Sequence, residues 1–514
     1  MWTDLQTYLK ELSPEKFIEL FRYQPESPML FSTGLFLFLF LGFYIIYNSL
    51  QHKQRARIIY VILFSFYFYY KTSGIWLVLL LFTATSDFFI GRFIAGTNNW
   101  LSKKMWVALS VCINLGMLAY FKYTNFFYEL AIGFWRQIGG IMDEPLLKGL
   151  IYEPLDIFLP IGISFFTFQS LSYTIDVYRG QVKPVNRWTD YLFFVSFFPG
   201  LVAGPIVRAR DFLPQMFKKP VLSYNQMGEA LYLIICGLFK KCIISDYISV
   251  NFVDRIFDAP ALYTGVENLM GVYGYALQIY CDFSGYSDMA IGIALLLGIR
   301  FNINFDSPYQ SATITEFWRR WHISLSTWFR DYVYIPLGGS RCSKIINYRN
   351  ILIVWFLTGF WHGASWNFIV WGLYYCALLV IEKAFLLKFL DKIPVIFQRI
   401  YTLFFVVIGW LLFVSESQYL GGLSDGIVYL GNMFGIGTVQ GMSQGDIYDI
   451  TRNFVFFIIM AVAATPLPKK LFYKFYDKSA IVRYAAYAGG IAVLIFAAAY
   501  LVDSSFNPFL YFRF

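Results

Sequence analysis

Apolar residues in this chain come in long runs, not in strict alternation. Stretches of helical length cover about residues 30–48, 58–70, 75–95, 105–121, 158–178, 228–249, 266–281, 350–378, 401–415, 453–467 and 484–502. Runs of this kind suit helices that cross the hydrocarbon core of a bilayer. The pattern predicts an all-α polytopic membrane protein with about 11 or more transmembrane helices. Two further apolar segments do not fit a simple span. Residues 191–207 (YLFFVSFFPGLVAGPIV) are interrupted by Pro199, Gly200, Gly204 and Pro205, and residues 285–299 are short and glycine-rich. Broken backbone at membrane depth is tolerated only where protein or a cavity shields it. These two segments therefore predict re-entrant elements around a water-accessible pocket.

The polar stretches between the runs set boundaries and orientation. Residues 1–29 are amphipathic and are expected to lie on the extracytoplasmic surface, residues 30–502 form the membrane domain, and residues 503–514 form a tail. Lys and Arg concentrate in cytoplasmic loops. Residues 52–57 and 92–104 are basic, which places the N-terminus outside. Residues 383–399 and 469–483 are basic, whereas residues 400–451 contain no Lys or Arg, so the chain ends outside as well. An odd number of spans is inconsistent with two outside ends, and residues 285–299 are the expected extra crossing.

Composition narrows the class. Hydrophobic residues make up 58% and charged residues 14%, with a mean hydropathy of +0.55; this excludes a soluble domain. The net charge of +9 sits in short loops between spans, so it reads as membrane orientation and contact with lipid headgroups, not nucleic-acid binding. The six cysteines show no CxxC or CxxxH spacing, and no metal site or disulfide framework is expected.

Chemistry concentrates in very few residues. There are three histidines: His52 in a polar loop, His322 in EFWRRWHISLSTWFRDYVYIPLGG, and His362 in FLTGFWHGASWNFIVWG. Histidine suits proton transfer near neutral pH, and an ionisable side chain within a membrane is a functional hypothesis. Thr313 and Glu316 have capping-box spacing, which predicts a helix starting near Ile314. Along that helix Trp318, Trp321, His322, Leu325, Trp328 and Phe329 would share one aromatic face, flanked by Arg319, Arg320 and Arg330. That face reads either as an interfacial helix with one structural histidine or as a site. His362 lies beside Trp361 in a Gly359–Gly363 step that lets helices approach closely. Asp282 and Asp288 lie in YCDFSGYSDMAIG, at an expected helix break around Gly285, and read mainly as structural. The C-terminal FLYFRF places Tyr511 among aromatics, as in a docked segment or an interfacial anchor.

Six stretches together carry a resemblance: LGMLAYFKYTNFF, LPIGISFFTFQSLSYTIDVYRG, FFPGLVAGPIVRARDFLPQM, QIYCDFSGYSDMAIGIALLLGIRFNINF, FWRRWHISLSTWFRDYVYIPLGG and LTGFWHGASWNFIVWG. In this order the chain resembles the membrane-bound O-acyltransferase family over roughly residues 30–385. VYIPLGG points to its branch that O-acetylates alginate and similar polysaccharides, over the D-alanylating branch. The resemblance implies an enzyme built around a tunnel across a bacterial inner membrane. His362 matches the family's catalytic histidine and His322 the second one. The resemblance also implies Tyr511 as an acyl relay; from the residues themselves, Asp282, Asp288, Trp318, Trp321, Arg330 and Trp361 are candidates for lining a tunnel or orienting the site. The implied donor is acetyl-CoA or another cytoplasmic acetyl thioester, with no bound cofactor. The implied partners are a periplasmic SGNH-hydrolase-like acetyltransferase and a polysaccharide acceptor. The chain has no GxSxG elbow of its own, consistent with passing the last step to that partner.

Overall fold

The computed structural model describes residues 14–415, 420–476 and 478–503. Among these the elements are helices, with no strand, as the apolar runs predict. Five helices are long and apolar enough to cross a membrane: Gln54–Gly96, Trp100–Met142, Trp366–Leu390, Val395–Val414 and Ala480–Ala497. A sixth arises if Gln444–Ala463 and Leu467–Tyr476, bent by 71°, form one span. The expected figure of about eleven is not reached on that measure. Many of the apolar runs fold instead as shorter helices, or as longer ones that carry buried polar groups. The helix Trp100–Met142 has 43 residues and runs well past the expected span.

The helices divide into two units, the first comprising residues 1–118, 158–202 and 208–221 and the second residues 119–157, 203–207 and 222–514. The first unit pairs several of its buried polar groups with one another. Asp87 accepts from Ser110 Oγ at 2.6 Å and from Asn114 Nδ2 at 2.8 Å, and Ser110 bonds Thr174 at 3.0 Å. The apolar segment broken by Pro199 forms two short helices, Trp188–Ser196 and Phe198–Leu201, and residues 191–206 are buried. That is the shielding a broken apolar segment requires.

The second unit departs from the expected element list at two places. Residues 266–281 and 285–299, read as separate segments, form one 32-residue helix, Gly265–Leu296, with no break at Gly285. Gly285 instead serves close packing: a Cβ there would strike the backbone of Gly237 and Lys241. Conversely, residues 350–378, read as one span, form two antiparallel helices. Lys344–His362 stops at His362, and Trp366–Ile381 returns. A Cβ on Gly359 would strike the Phe368 carbonyl, and one on Gly372 would strike that of Trp355. The small residues thus set the spacing within this hairpin, as the Gly359–Gly363 step suggests.

The Gly265–Leu296 helix has two faces. On one, Asp282 pairs with Lys241 at 2.7 Å and Asp288 with Lys240 at 2.6 Å. Lys241 also reaches Asp246 at 2.7 Å. Both lysines sit in a π-helical turn, Phe239–Ser245, which continues the helix Tyr224–Leu238. On the opposite face, one turn apart, Phe283 packs on the His322 ring and Ser287 accepts from Asn304.

Candidate active site

His322 stands at a break and not along a continuous helix. The helix Ile314–Arg320 starts where expected, with Thr313 Oγ1 accepting from the Glu316 amide at 3.0 Å. Glu316 reaches back to the Ala312 amide at 2.7 Å, and the Glu382 carboxylate accepts from the amides of Ile314 (2.7 Å) and Thr315 (2.9 Å). This helix ends at Arg320, and a second one, Ile323–Phe329, follows. Between them His322 has φ +46° and ψ +54°, in the left-handed region. A non-glycine residue there costs of order 1–2 kcal/mol, so neighbouring groups must hold it.

Asn304 does so. Its carbonyl oxygen accepts from the Ile323 amide at 3.0 Å. Its Oδ1 accepts from the Ser324 amide at 3.1 Å and from Ser324 Oγ at 3.0 Å. His322 Nδ1 lies 3.2 Å from the same Oδ1. An amide oxygen only accepts, so Nδ1 carries the proton and donates, and Nε2 keeps its lone pair. Asn304 Nδ2 in turn donates to Ser287 Oγ at 3.3 Å, and the Phe283 ring meets the imidazole edge-on, with centroids 4.7 Å apart. The backbone break, the tautomer and the ring plane all trace to one asparagine.

His362 is the last residue of its helix. Its ring packs among Trp361, Trp371 and Phe413 at centroid distances of 5.0, 5.0 and 5.2 Å. The two imidazoles share a neighbour: Trp361 lies 6.2 Å from His322 and 5.0 Å from His362. Both histidines are buried, at 1% and 7% exposure. This brings together two imidazoles, one with its tautomer fixed by Asn304, between aromatic walls.

A profile of the membrane-bound O-acyltransferase family matches residues 187–424. A probable alginate O-acetylase of Azotobacter vinelandii is 35% identical over 95% of this chain and 100% of its own length. One from Pseudomonas syringae pv. tomato is 38% identical over 78% of this chain and 75% of its own. A peptidoglycan O-acetyltransferase of Helicobacter pylori is 34% identical over 80% and 81%. The chain belongs to the membrane-bound O-acyltransferase family. It is a multi-pass membrane acyltransferase, and His322, Asn304, Trp361 and His362 all fall inside the matched region.

Within this acyltransferase the other sequence candidates take different places. Trp361 joins the pair directly. Trp318 and Trp321 stand one layer back: Trp318 packs on Trp371 at 5.4 Å, and Trp321 on Trp410 at 4.6 Å. Trp318 thus braces Trp371, which touches His362, and Trp321 braces Trp410, which packs on Phe413, another neighbour of His362. The shared helical face expected for Trp318 and His322 does not exist, because the helix breaks at the histidine. Arg330 pairs with Asp331 at 2.7 Å, its side chain 57% exposed. Asp282 and Asp288 pair with Lys241 and Lys240. Tyr511 lies outside the described residues.

Two groups escaped the sequence reading. Asn304 sits in FNINFDSP, where nothing local marks it as the partner of a histidine 18 positions later. Lys122 does carry a signal, since it is a lone cation at the end of the apolar run 105–121. It donates to the carbonyls of Trp361 at 2.6 Å and His362 at 2.8 Å.

Proposed function

We propose that this acyltransferase moves acetyl groups from a cytoplasmic acetyl thioester, such as acetyl-CoA, across a bacterial inner membrane for the O-acetylation of an extracytoplasmic polysaccharide. The observation that carries this reading is the pair of buried imidazoles meeting on Trp361, within a chain whose relatives are named for alginate and peptidoglycan O-acetylation. In the proposed step His362 takes the proton from an acceptor hydroxyl. The oxygen attacks the thioester carbonyl, the C–S bond breaks, and the imidazolium returns the proton to the leaving thiolate. His322, with its tautomer set by Asn304, orients the thioester or steadies the oxyanion.

The proposed acceptor within the chain is the Tyr511 phenol. A phenol ordinarily ionises near pH 10, so it needs a base at neutral pH. The resulting ester then passes to a separate SGNH-hydrolase-like partner on the extracytoplasmic side. The basic loops at residues 383–399 and 469–483, around a loop without Lys or Arg, support an outward tail, with both termini extracytoplasmic. Intact-mass measurement of the C-terminal peptide after supplying labelled donor tests the relay. One acetyl group on Tyr511 is expected in the wild type and none in His362→Ala. Normal polymer acetylation by Tyr511→Phe would exclude the relay.

A further inference from the structure

The helix that ends at His362 lacks a terminator of its own. The last carbonyls of a helix have no intrahelical partner, and a left-handed glycine after the end commonly satisfies them. Gly363 follows His362, yet its backbone is extended, at φ −165° and ψ +160°. The cap comes instead from the helix Trp100–Met142. Tyr123 Oη donates to the Phe360 carbonyl at 2.7 Å, and Lys122 Nζ donates to those of Trp361 and His362 at 2.6 and 2.8 Å. The Tyr123 ring stacks on Phe360 with centroids 4.1 Å apart, which holds the two helices in register. The Lys122 ammonium also lies 5.8 Å from the centre of the Trp361 ring that borders both histidines.

Charge makes this cap more than mechanical. A helix C-terminus carries roughly half a negative charge, which favours the protonated form of a histidine placed there. A general base must start neutral. We propose that Lys122 is a positioning residue for His362: it fixes the end of the His362 helix and offsets the charge of its carbonyls, so that the imidazole stays neutral and able to take a proton. This rests on reading His362 as the base. The charged or titratable neighbours the geometry sets beside His362 are Lys122, whose Nζ lies 2.8 Å from the His362 carbonyl, and His322, which shares the Trp361 ring with it; the rings packed on it, Trp361, Phe368, Trp371 and Phe413, carry no charge.

The test follows thiol release from acetyl-CoA by membranes containing the full chain, across a pH series, for wild type, Lys122→Gln, Lys122→Met, Lys122→Arg and His362→Ala. Lys122→Gln removes the charge and keeps an N–H donor, on a side chain one bond shorter. It is expected to move the midpoint of the acid limb to higher pH by on the order of one unit and to slow turnover at neutral pH about tenfold. Lys122→Arg keeps the charge and is expected to hold the wild-type midpoint. A neutral variant that accumulates normally and keeps the wild-type midpoint overturns the proposal. Should Lys122→Met fail to accumulate, Lys122→Gln carries the test. The His362→Ala arm is separate: turnover by that variant would remove the premise that His362 is the base, whatever Lys122 does.

Discussion

At the residue scale, the left-handed backbone of His322 links strain to chemistry. Asn304 holds both the backbone and the ring, through its carbonyl and its Oδ1. Asn304→Leu is therefore expected to slow acetyl transfer about tenfold to a hundredfold, the usual cost of losing the partner that orients a functional histidine, while the chain still accumulates in membranes. Transfer at the wild-type rate would show that the tautomer is set elsewhere. A second comparison isolates strain. His322→Gly and His322→Ala both remove the imidazole, but only glycine relieves φ +46°, so His322→Gly is expected to be the more stable by about 1 kcal/mol. Thermal unfolding in detergent measures the difference, and equal stabilities would mean that the backbone there is unstrained. The two histidines were legible in the sequence because ionisable groups are scarce in apolar runs. The break at His322 was not, because Trp318 to Phe329 keep helical spacing throughout and the residue that enforces the break lies far upstream.

Hydropathy located the elements and misplaced their ends in an instructive way. It divided Gly265–Leu296 at Gly285, where the glycine is a contact point and not a hinge, and it averaged across residues 363–365, where the chain turns. Both errors come from reading glycine locally, when its role depends on which helix lies against it. Gly359→Val is accordingly expected to separate the hairpin Lys344–His362 and Trp366–Ile381, lowering thermal stability and abolishing activity together, since the new side chain would meet the Phe368 carbonyl. An intact, active variant would contradict the packing. The pairing of Lys240 and Lys241 with Asp288 and Asp282 also lay beyond local pattern. Lys241 is almost fully buried, and Lys241→Met removes the cation paired with both Asp246 and Asp282, which is expected to cost about 3–5 kcal/mol. The more accessible Lys240→Met is expected to cost less. Thermal melts of the two variants rank them, and the reverse order would refute the assignment of Lys241 as the buried hub.

On the scale of the whole molecule, fold class and family follow from composition and from six motif stretches spread along the chain. The geometry adds a physical reason for their grouping. LGMLAYFKYTNFF supplies Lys122, the stretch ending in FNINF supplies Phe283, Ser287 and Asn304, FWRRWH supplies His322, and LTGFWHG supplies Trp361 and His362. Four motifs distant in sequence thus build one arrangement around an indole. The central claim is that this arrangement transfers the acyl group, and the most direct measurement is thiol release from acetyl-CoA by membranes containing equal amounts of wild-type, His322→Ala and His362→Ala chains. Release by the wild type, at least a hundredfold slower in His362→Ala and strongly reduced in His322→Ala, is expected of a base and its oxyanion partner. Wild-type release by His362→Ala would contradict the account.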